Sequence, residues 1–401
     1  MYRKFTADHI FTGYEVVHCN FVLITTTEGV VVDIVDKKDA GDDIETFNGL
    51  LTPGFINAHC HLELSHLKGV IPNGTGLVQF VQQVMSKRAS FDEAKFDAMR
   101  TAEQEMYTTG VVAVGDICNT ADSIPIKQKS KLHWHNFIEV SGFVDAGAQK
   151  RLADIKKVYE DFYINNQRKT SLSPHAPYSV SKALFKQLNN ETANQLITIH
   201  NQECGAENDL YQHKTGGFLD LYKNFGIDIS RFQPTGKTSL QSWLPYFNNN
   251  QSIISVHNTF TNHADIDFYN ERSKVNSSAL STPNAELFFC LCINANKYIE
   301  QKLPPIDLLR KNNCPIIIGT DSYASNRQLN IFEEIKTIQQ ETSFSIPLPE
   351  ILQWATINGA RALQMDNTLG SFEKDKKPGV VLIDGMNDLN ITVRSSAKRI
   401  L

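Results

Sequence analysis

Five side chains able to bind metal or move protons recur near the carboxyl ends of β-rich runs: His59, His61, His200, His257 and Asp321. His59 and His61 form an H-x-H pair after Pro-Gly-Phe-Ile-Asn-Ala. On an extended strand, residues i and i+2 project to one face, so both imidazoles can reach one metal while Cys60 points away. His200 ends the run 196–200, His257 ends 253–257, and Asp321 sits in Gly-Thr-Asp-Ser. Three or four nitrogen donors plus a carboxylate, with room for water, describe an open catalytic metal site rather than a closed structural one. One histidine at a strand end is ordinarily a satisfied polar residue; five in phase with the strands call for a shared task. Glu203 follows His200 by three residues, and a carboxylic acid beside a metal-activated water can take its proton and pass it to a leaving group. His175, in Ser-Pro-His-Ala-Pro-Tyr, closes another β-run and is assigned to substrate binding, because the other five already complete a site. Glu63 would share the face of His61 on extended backbone. Two readings stand for it: contact with a ribose or amino group, or a buried glutamate paired with a cation. His133-Trp-His135 repeats the H-x-H spacing but opens its run, which assigns it to the opposite rim and a structural role.

The elements that must carry these groups follow from the apolar pattern. Eight β-rich runs cover 54–61, 111–117, 132–140, 171–175, 196–200, 253–257, 287–292 and 314–320. Helical patterns lie between most of them. One carries Leu77, Phe80, Val81, Val84 and Met85 on one face, read first as helix core; others cover 91–107, 150–162 and 331–340. Strands interleaved with helices predict a parallel sheet, since parallel neighbours need crossover connections. Eight such units favour an α/β fold of the closed (β/α)8 TIM barrel type, whose carboxyl rim is where catalytic groups collect. Residues 16–17, 21–24 and 30–35 at one end, and 380–383 and 390–393 at the other, read as antiparallel strands without helices. They predict a small β-sandwich domain built from both termini, 1–51 and 366–401, around a barrel at 52–365. The Asn-rich patches at 164–167 and 248–250 read as solvated loops.

Composition narrows the partners. The 401 residues exceed what one compact core usually needs. Thirty-nine basic and 44 acidic residues leave a net charge of −5, which offers no long-range attraction to nucleic acid or an anionic membrane. No apolar run reaches the roughly 18 residues of a membrane span, and the first residues lack the apolar core of a signal peptide. Seven cysteines, an odd count without framework spacing, read as reduced thiols. The expectation is a cytoplasmic protein acting on a small molecule, with no nucleic-acid or membrane partner and a homodimer as the default assembly.

Several motifs together resemble the metal-dependent amidohydrolase superfamily, in its deaminase and chlorohydrolase branch. They are Thr52-Pro-Gly-Phe-Ile-Asn-Ala-His-Cys-His-Leu-Glu-Leu-Ser65, Pro174-His-Ala-Pro-Tyr-Ser179, His200-Asn-Gln-Glu203, Val256-His257-Asn258, Gly319-Thr-Asp-Ser-Tyr-Ala-Ser-Asn326 and Ala355-Thr-Ile-Asn-Gly-Ala-Arg-Ala-Leu363. The resemblance implies one divalent metal, zinc first and iron as the alternative, on His59, His61, His200 and Asp321. It implies Glu203 as proton shuttle and His257 as a contact of the catalytic water. The absence of a lysine from 171–178 implies a mononuclear centre. Cys292-Ile-Asn-Ala-Asn296 departs from the Cys-Pro-x-Ser-Asn common in deaminase relatives, and the approach to the last strands departs at Lys377-Pro-Gly-Val-Val-Leu-Ile. The implied reaction is hydrolytic deamination. Activated water attacks an amino-bearing ring carbon, Glu203 protonates the adjacent ring nitrogen, and ammonia leaves. Among substrates, the motifs are most similar to those of aminodeoxyfutalosine deaminases, which act on an adenine-containing nucleoside. Other adenosine derivatives, guanine deamination and chlorohydrolysis are the near alternatives. A metal-free oligomeric scaffold is the remaining class, disfavoured by the intact ligand set. The H-x-E…P-C-x-x-C signature of the other zinc deaminases is absent.

Overall fold

The computed structural model describes residues 1–89, 92–165, 167, 169–277 and 286–401. Eight parallel strands form its centre: β1 (Phe55–Cys60), β2 (Val111–Cys118), β3 (His133–Val140), β4 (Thr170–Pro174), β5 (Leu196–Asn201), β6 (Ser252–His257), β7 (Leu287–Leu291) and β8 (Ile316–Ile318). They lie in two four-stranded sheets, β1 to β4 and β5 to β8, each in sequence order. Every residue of β1, β2 and β5 is buried. Burial on both faces explains why these strands read as near-continuous apolar runs instead of alternating ones.

Hydrogen bonds cross both seams between the sheets. The His200 amide donates to the His175 carbonyl at 2.9 Å, and the Thr320 and Asp321 amides donate to the His59 carbonyl at 3.0 and 3.1 Å. Asn57 reinforces the second seam, its side chain donating to Thr320 Oγ1 at 2.8 Å and accepting from the Thr320 amide at 3.0 Å. The approach is close enough to require glycine at 319, where a Cβ would stand 2.8 Å from the His59 Cβ. The connections are helical, among them Leu77–Lys87 and Asp92–Thr108 between β1 and β2, and Ala148–Ile164 between β3 and β4. Lys182–Glu191 precedes β5 and is capped by Ser181, whose hydroxyl accepts from the Leu184 amide at 3.2 Å. Phe91 of the expected 91–107 helix and Asn166 of the 164–167 patch lie outside the described residues. Among the described residues no helix is long and apolar enough to cross a membrane.

The two ends of the chain interleave in two further sheets. One orders Val31–Asp36, Phe21–Thr26, Tyr2–Thr6 and Ile44–Thr46; the other orders Ser396–Arg399, Val380–Asp384, Leu50–Pro53, His9–Phe11 and Val16–His18. Phe5, Ile10, Leu23, Leu51, Phe372 and Leu382 join both sheets in one apolar cluster. Two expectations need correction. The pairing is not all antiparallel, since Tyr2–Thr6 runs parallel to Ile44–Thr46 and His9–Phe11 parallel to Leu50–Pro53. The last strand is Ser396–Arg399, not 390–393. Thr392 and Ser395 instead close a turn, with the Thr392 amide donating to Ser395 Oγ at 2.9 Å and both hydroxyls donating to the Gly385 carbonyl.

Candidate active site

The strands deliver His59, His61, His200, His257, Glu203 and Asp321 to one place. His61 Nε2 lies 3.2 Å from His59 Nε2 and 3.1 Å from His200 Nε2, while Asp321 Oδ1 is 3.5 Å from His59 Nε2 and 3.3 Å from His61 Nε2. Cys60, between the two histidines, is wholly buried in the apolar core. His200 Nδ1 donates to the His175 carbonyl at 2.8 Å, which leaves Nε2 as the nitrogen with a free lone pair. Burial moves His61 down to about 4 and His200 well below the usual imidazole value, although Asp321 pulls His61 the other way. Neutral imidazoles crowded nitrogen to nitrogen, with a carboxylate beside them, are a donor set that a divalent cation satisfies and hydrogen bonds alone do not. These four residues form a possible metal site, their ligand atoms within 4.8 Å of one another.

Backbone strain concentrates here. His257 and Asp321 adopt φ of +72° and +59°, and Gln202, just before Glu203, adopts +46°. Such conformations cost a non-glycine residue about 1–3 kcal/mol and persist only where surroundings over-determine them. The surroundings do. His257 Nδ1 bonds Asn296 Oδ1 at 2.8 Å, and Ser325 Oγ donates to Asp321 Oδ2. The Gln202 amide donates to Glu207 Oε1 at 2.8 Å, and its side chain is held by Asp265 and Thr261 at 2.9 and 2.7 Å. Glu203 is thereby aimed inward, with Oε2 3.6 Å from His257 Nε2. Burial pushes the Glu203 carboxyl well above its ordinary value, and Asp321 and Glu207 push it further. Asp321 goes the other way: burial would raise it, but the imidazoles around it outweigh burial and hold it below the carboxylate range.

His61, His200, Glu203, His257 and Asp321 line a cavity of about 470 Å³, within the usual range of small-molecule sites. His175 follows β4 and lines it, its Nδ1 2.6 Å from Ser179 Oγ. Glu63 lines it too, but not from extended backbone, because the chain turns into the 3-10 segment Leu62–Leu67 directly after His61. Its oxygens take the Thr120 amide at 3.0 Å, the Thr120 hydroxyl at 3.0 Å and the Asn119 amide at 3.2 Å, and burial raises it to about 7. No cation is among these donors. The stripe Leu77, Phe80, Val81, Val84 and Met85, read from the sequence as core, does pack Leu77, Phe80, Val81 and Val84 into an apolar cluster and also forms the apolar wall of the cavity. His135 stays apart, stacked on Phe137 and bonded to Ser171 Oγ at 3.1 Å. Sequence reasoning missed Asn296, Asn119 and Glu139. Glu139 carried a signal, an acid near the carboxyl end of an apolar strand. Asn119 carried none, lying one residue past β2.

The amidohydrolase family model matches residues 50–400. A 5-methylthioadenosine/S-adenosylhomocysteine deaminase of Thermoanaerobacter pseudethanolicus is 27% identical over 352 residues, covering 84% of this chain and 73% of that protein. An aminodeoxyfutalosine deaminase of Nitratiruptor is 25% identical over 347 residues, covering 84% and 79%. The crystal structure of Helicobacter pylori aminofutalosine deaminase in complex with methylthio-coformycin superposes with a TM-score of 0.81 at 21% identity, over 100% of both chains, and so shares the fold. Since the matched span runs from just before β1 through both sheets to the last strand, the chain belongs to the amidohydrolase family.

Proposed function

We propose that this protein is a hydrolytic deaminase of an adenine nucleoside, with aminodeoxyfutalosine as the lead substrate. The observation that carries the reading is a buried Glu203, its carboxyl pushed well above the ordinary value by burial, placed 3.6 Å from His257 at the edge of the His59, His61, His200 and Asp321 cluster. Deamination needs an acid beside an activated water, and burial shifts Glu203 toward its acid form. A divalent metal in that cluster, zinc or iron, supplies Lewis acidity that ionises water near neutrality. The residues do the rest. Asp321 and His257 orient the attacking water through hydrogen bonds, Asp321 takes the proton that the water sheds, and Glu203 donates its own proton to the ring nitrogen next to the amino-bearing carbon. Glu203 and Asp321 then relay the proton with which ammonia leaves. His175 and Glu63 bind the substrate.

The apolar wall favours an adenosine carrying a 5′ substituent over guanine or a chlorinated ring, because it offers contact surface beyond the sugar. The bonds across both seams support a closed (β/α)8 barrel over 52–365, and the shared apolar cluster supports a β-sandwich from 1–51 and 366–401. Seven free cysteines, six of them buried, support a reducing cytoplasmic setting, and a symmetric homodimer is the default assembly. Ammonia release from a panel tests the function: aminodeoxyfutalosine, methylthioadenosine, adenosylhomocysteine, adenosine, guanine and a chlorotriazine. Turnover of guanine or the triazine, with every adenine nucleoside inert, would sink it.

A further inference from the structure

One carboxyl oxygen in the cavity has no task in the chemistry above. Glu139, the penultimate residue of β3, has a side chain only 8% exposed and lines the cavity. Its Oε2 accepts from Asn119 Nδ2 at 2.9 Å, and Asn119 is itself fixed through Oδ1 by Arg88 at 3.0 Å. Its Oε1 is buried without a hydrogen-bond partner. The nearest nitrogens, His200 Nδ1 at 3.7 Å and His175 Nε2 at 4.0 Å, stand beyond hydrogen-bond distance. An acceptor left so in the bound state would carry an uncompensated desolvation penalty, so a site that keeps it there is built for an incoming donor.

Glu139, His175 and His200 also lie close enough to hold a cation. His200 cannot serve it, because Nδ1 already donates to the His175 carbonyl and Nε2 faces His61. A donor on the substrate remains. Adenine presents N7 and N3 as acceptors, and its one donor group is the amino group, which reacts at the metal end. The donors left on the nucleoside itself, apart from any 5′ substituent, are its sugar hydroxyls.

We propose that Glu139 reads the sugar, its free oxygen accepting a hydrogen bond from a furanose hydroxyl of the substrate. Asn119 presents the carboxyl in a set orientation, and its position beside His200 and His175 puts it one group away from the reacting end. The inference rests on the adenine-nucleoside reading above.

The experiment compares kcat/KM for the best adenine nucleoside of the panel with its 2′-deoxy and 3′-deoxy forms. A site built around a hydroxyl penalises its loss, so the wild-type enzyme should disfavour at least one deoxy form by about tenfold or more. In Glu139→Met, with Glu139→Ala as the replacement if it does not fold, that preference should shrink to within about twofold, since the stranded acceptor is gone. The ratio is measured within one preparation, so a loss of folded enzyme does not move it. Equal rates on all three sugars by the wild type, or an undiminished preference in the variant, would overturn the role of Glu139 while leaving the deaminase reading intact. Loss of a second metal equivalent in the variant would overturn it too. If no adenine nucleoside is turned over at all, the function falls first and Glu139 with it.

Discussion

Lys127 and Asp116 form a buried ion pair tied to the backbone just after His61, and breaking it should destabilise the fold and loosen the site together. Lys127 Nζ lies 2.5 Å from Asp116 Oδ2, with neither side chain exposed. The ammonium also donates to Asn136 Oδ1 at 2.7 Å and lies over the rings of Trp134 and Phe162. Burial alone would lower its pKa, but Asp116 outweighs burial and holds it above the ordinary lysine value. The other oxygen of Asp116 accepts the Leu62 amide at 2.8 Å, and Leu62 follows the ligand candidate His61. Lys127→Met keeps most of the volume and strands a buried carboxylate, a change that costs about 3–5 kcal/mol. That is a large share of a typical net stability of roughly 5–15 kcal/mol. Removing the charge as well, in Asp116→Asn with Lys127→Met, should recover much of the loss, because the asparagine oxygen can still accept from Leu62. Urea unfolding followed by tryptophan fluorescence gives the stabilities, and metal content per chain reports on His61. A single variant losing less than about 1 kcal/mol, or a double variant whose loss equals the sum of the singles, would refute the pairing argument.

Glu203→Gln should keep its metal and lose at least about a hundredfold in kcat; wild-type turnover would remove Glu203 from the chemistry. His59→Ala and His61→Ala should each lower the metal bound per chain, read by elemental analysis, and a chelator should abolish activity in the parent enzyme with recovery on adding zinc or iron. Glu207 is raised by burial from 4.5 to about 7, so the fold holds its proton more tightly than the unfolded chain does. That contribution is complete below the unfolded value and disappears as pH rises through about 7. Glu207→Gln removes the titration, so its stability relative to wild type should rise from about pH 5 to about pH 8 by on the order of 3 kcal/mol. Thermal melts across that range would contradict this if the difference stayed flat.

Legibility in the sequence followed the range over which each signal acts. The H-x-H pair was readable because the two-residue period belongs to the strand itself, and Cys60 does point into the core. Central strands such as Val111–Cys118 and Leu287–Leu291 announced themselves because burial on both faces demands apolar runs. Ser396–Arg399 did not, because as an outer strand its exposure alternates and its pairing with Val380–Asp384 comes from backbone bonds that any side chain permits. Glu63 was placed on extended backbone because nothing local marks the turn. The turn is held from distant segments, by the amides of Asn119 and Thr120, which donate to Glu63, and by the Asp116 carboxyl, which accepts from the Leu62 amide.

The candidate metal ligands, the carboxyl of Glu203 and the strand ends that carry them therefore lay in the chain's own order, since residue type and strand period act over a few positions. Which way those groups point was decided in three dimensions. Left-handed backbone at Gln202, His257 and Asp321 persists because Asp265 and Thr261, Asn296 and the His59 carbonyl arrive from other segments to hold it. The same holds for the cavity. A helix stripe of Leu77 to Met85 has one pattern whether it faces core or substrate, and only the packing of β1 to β8 opened space in front of it.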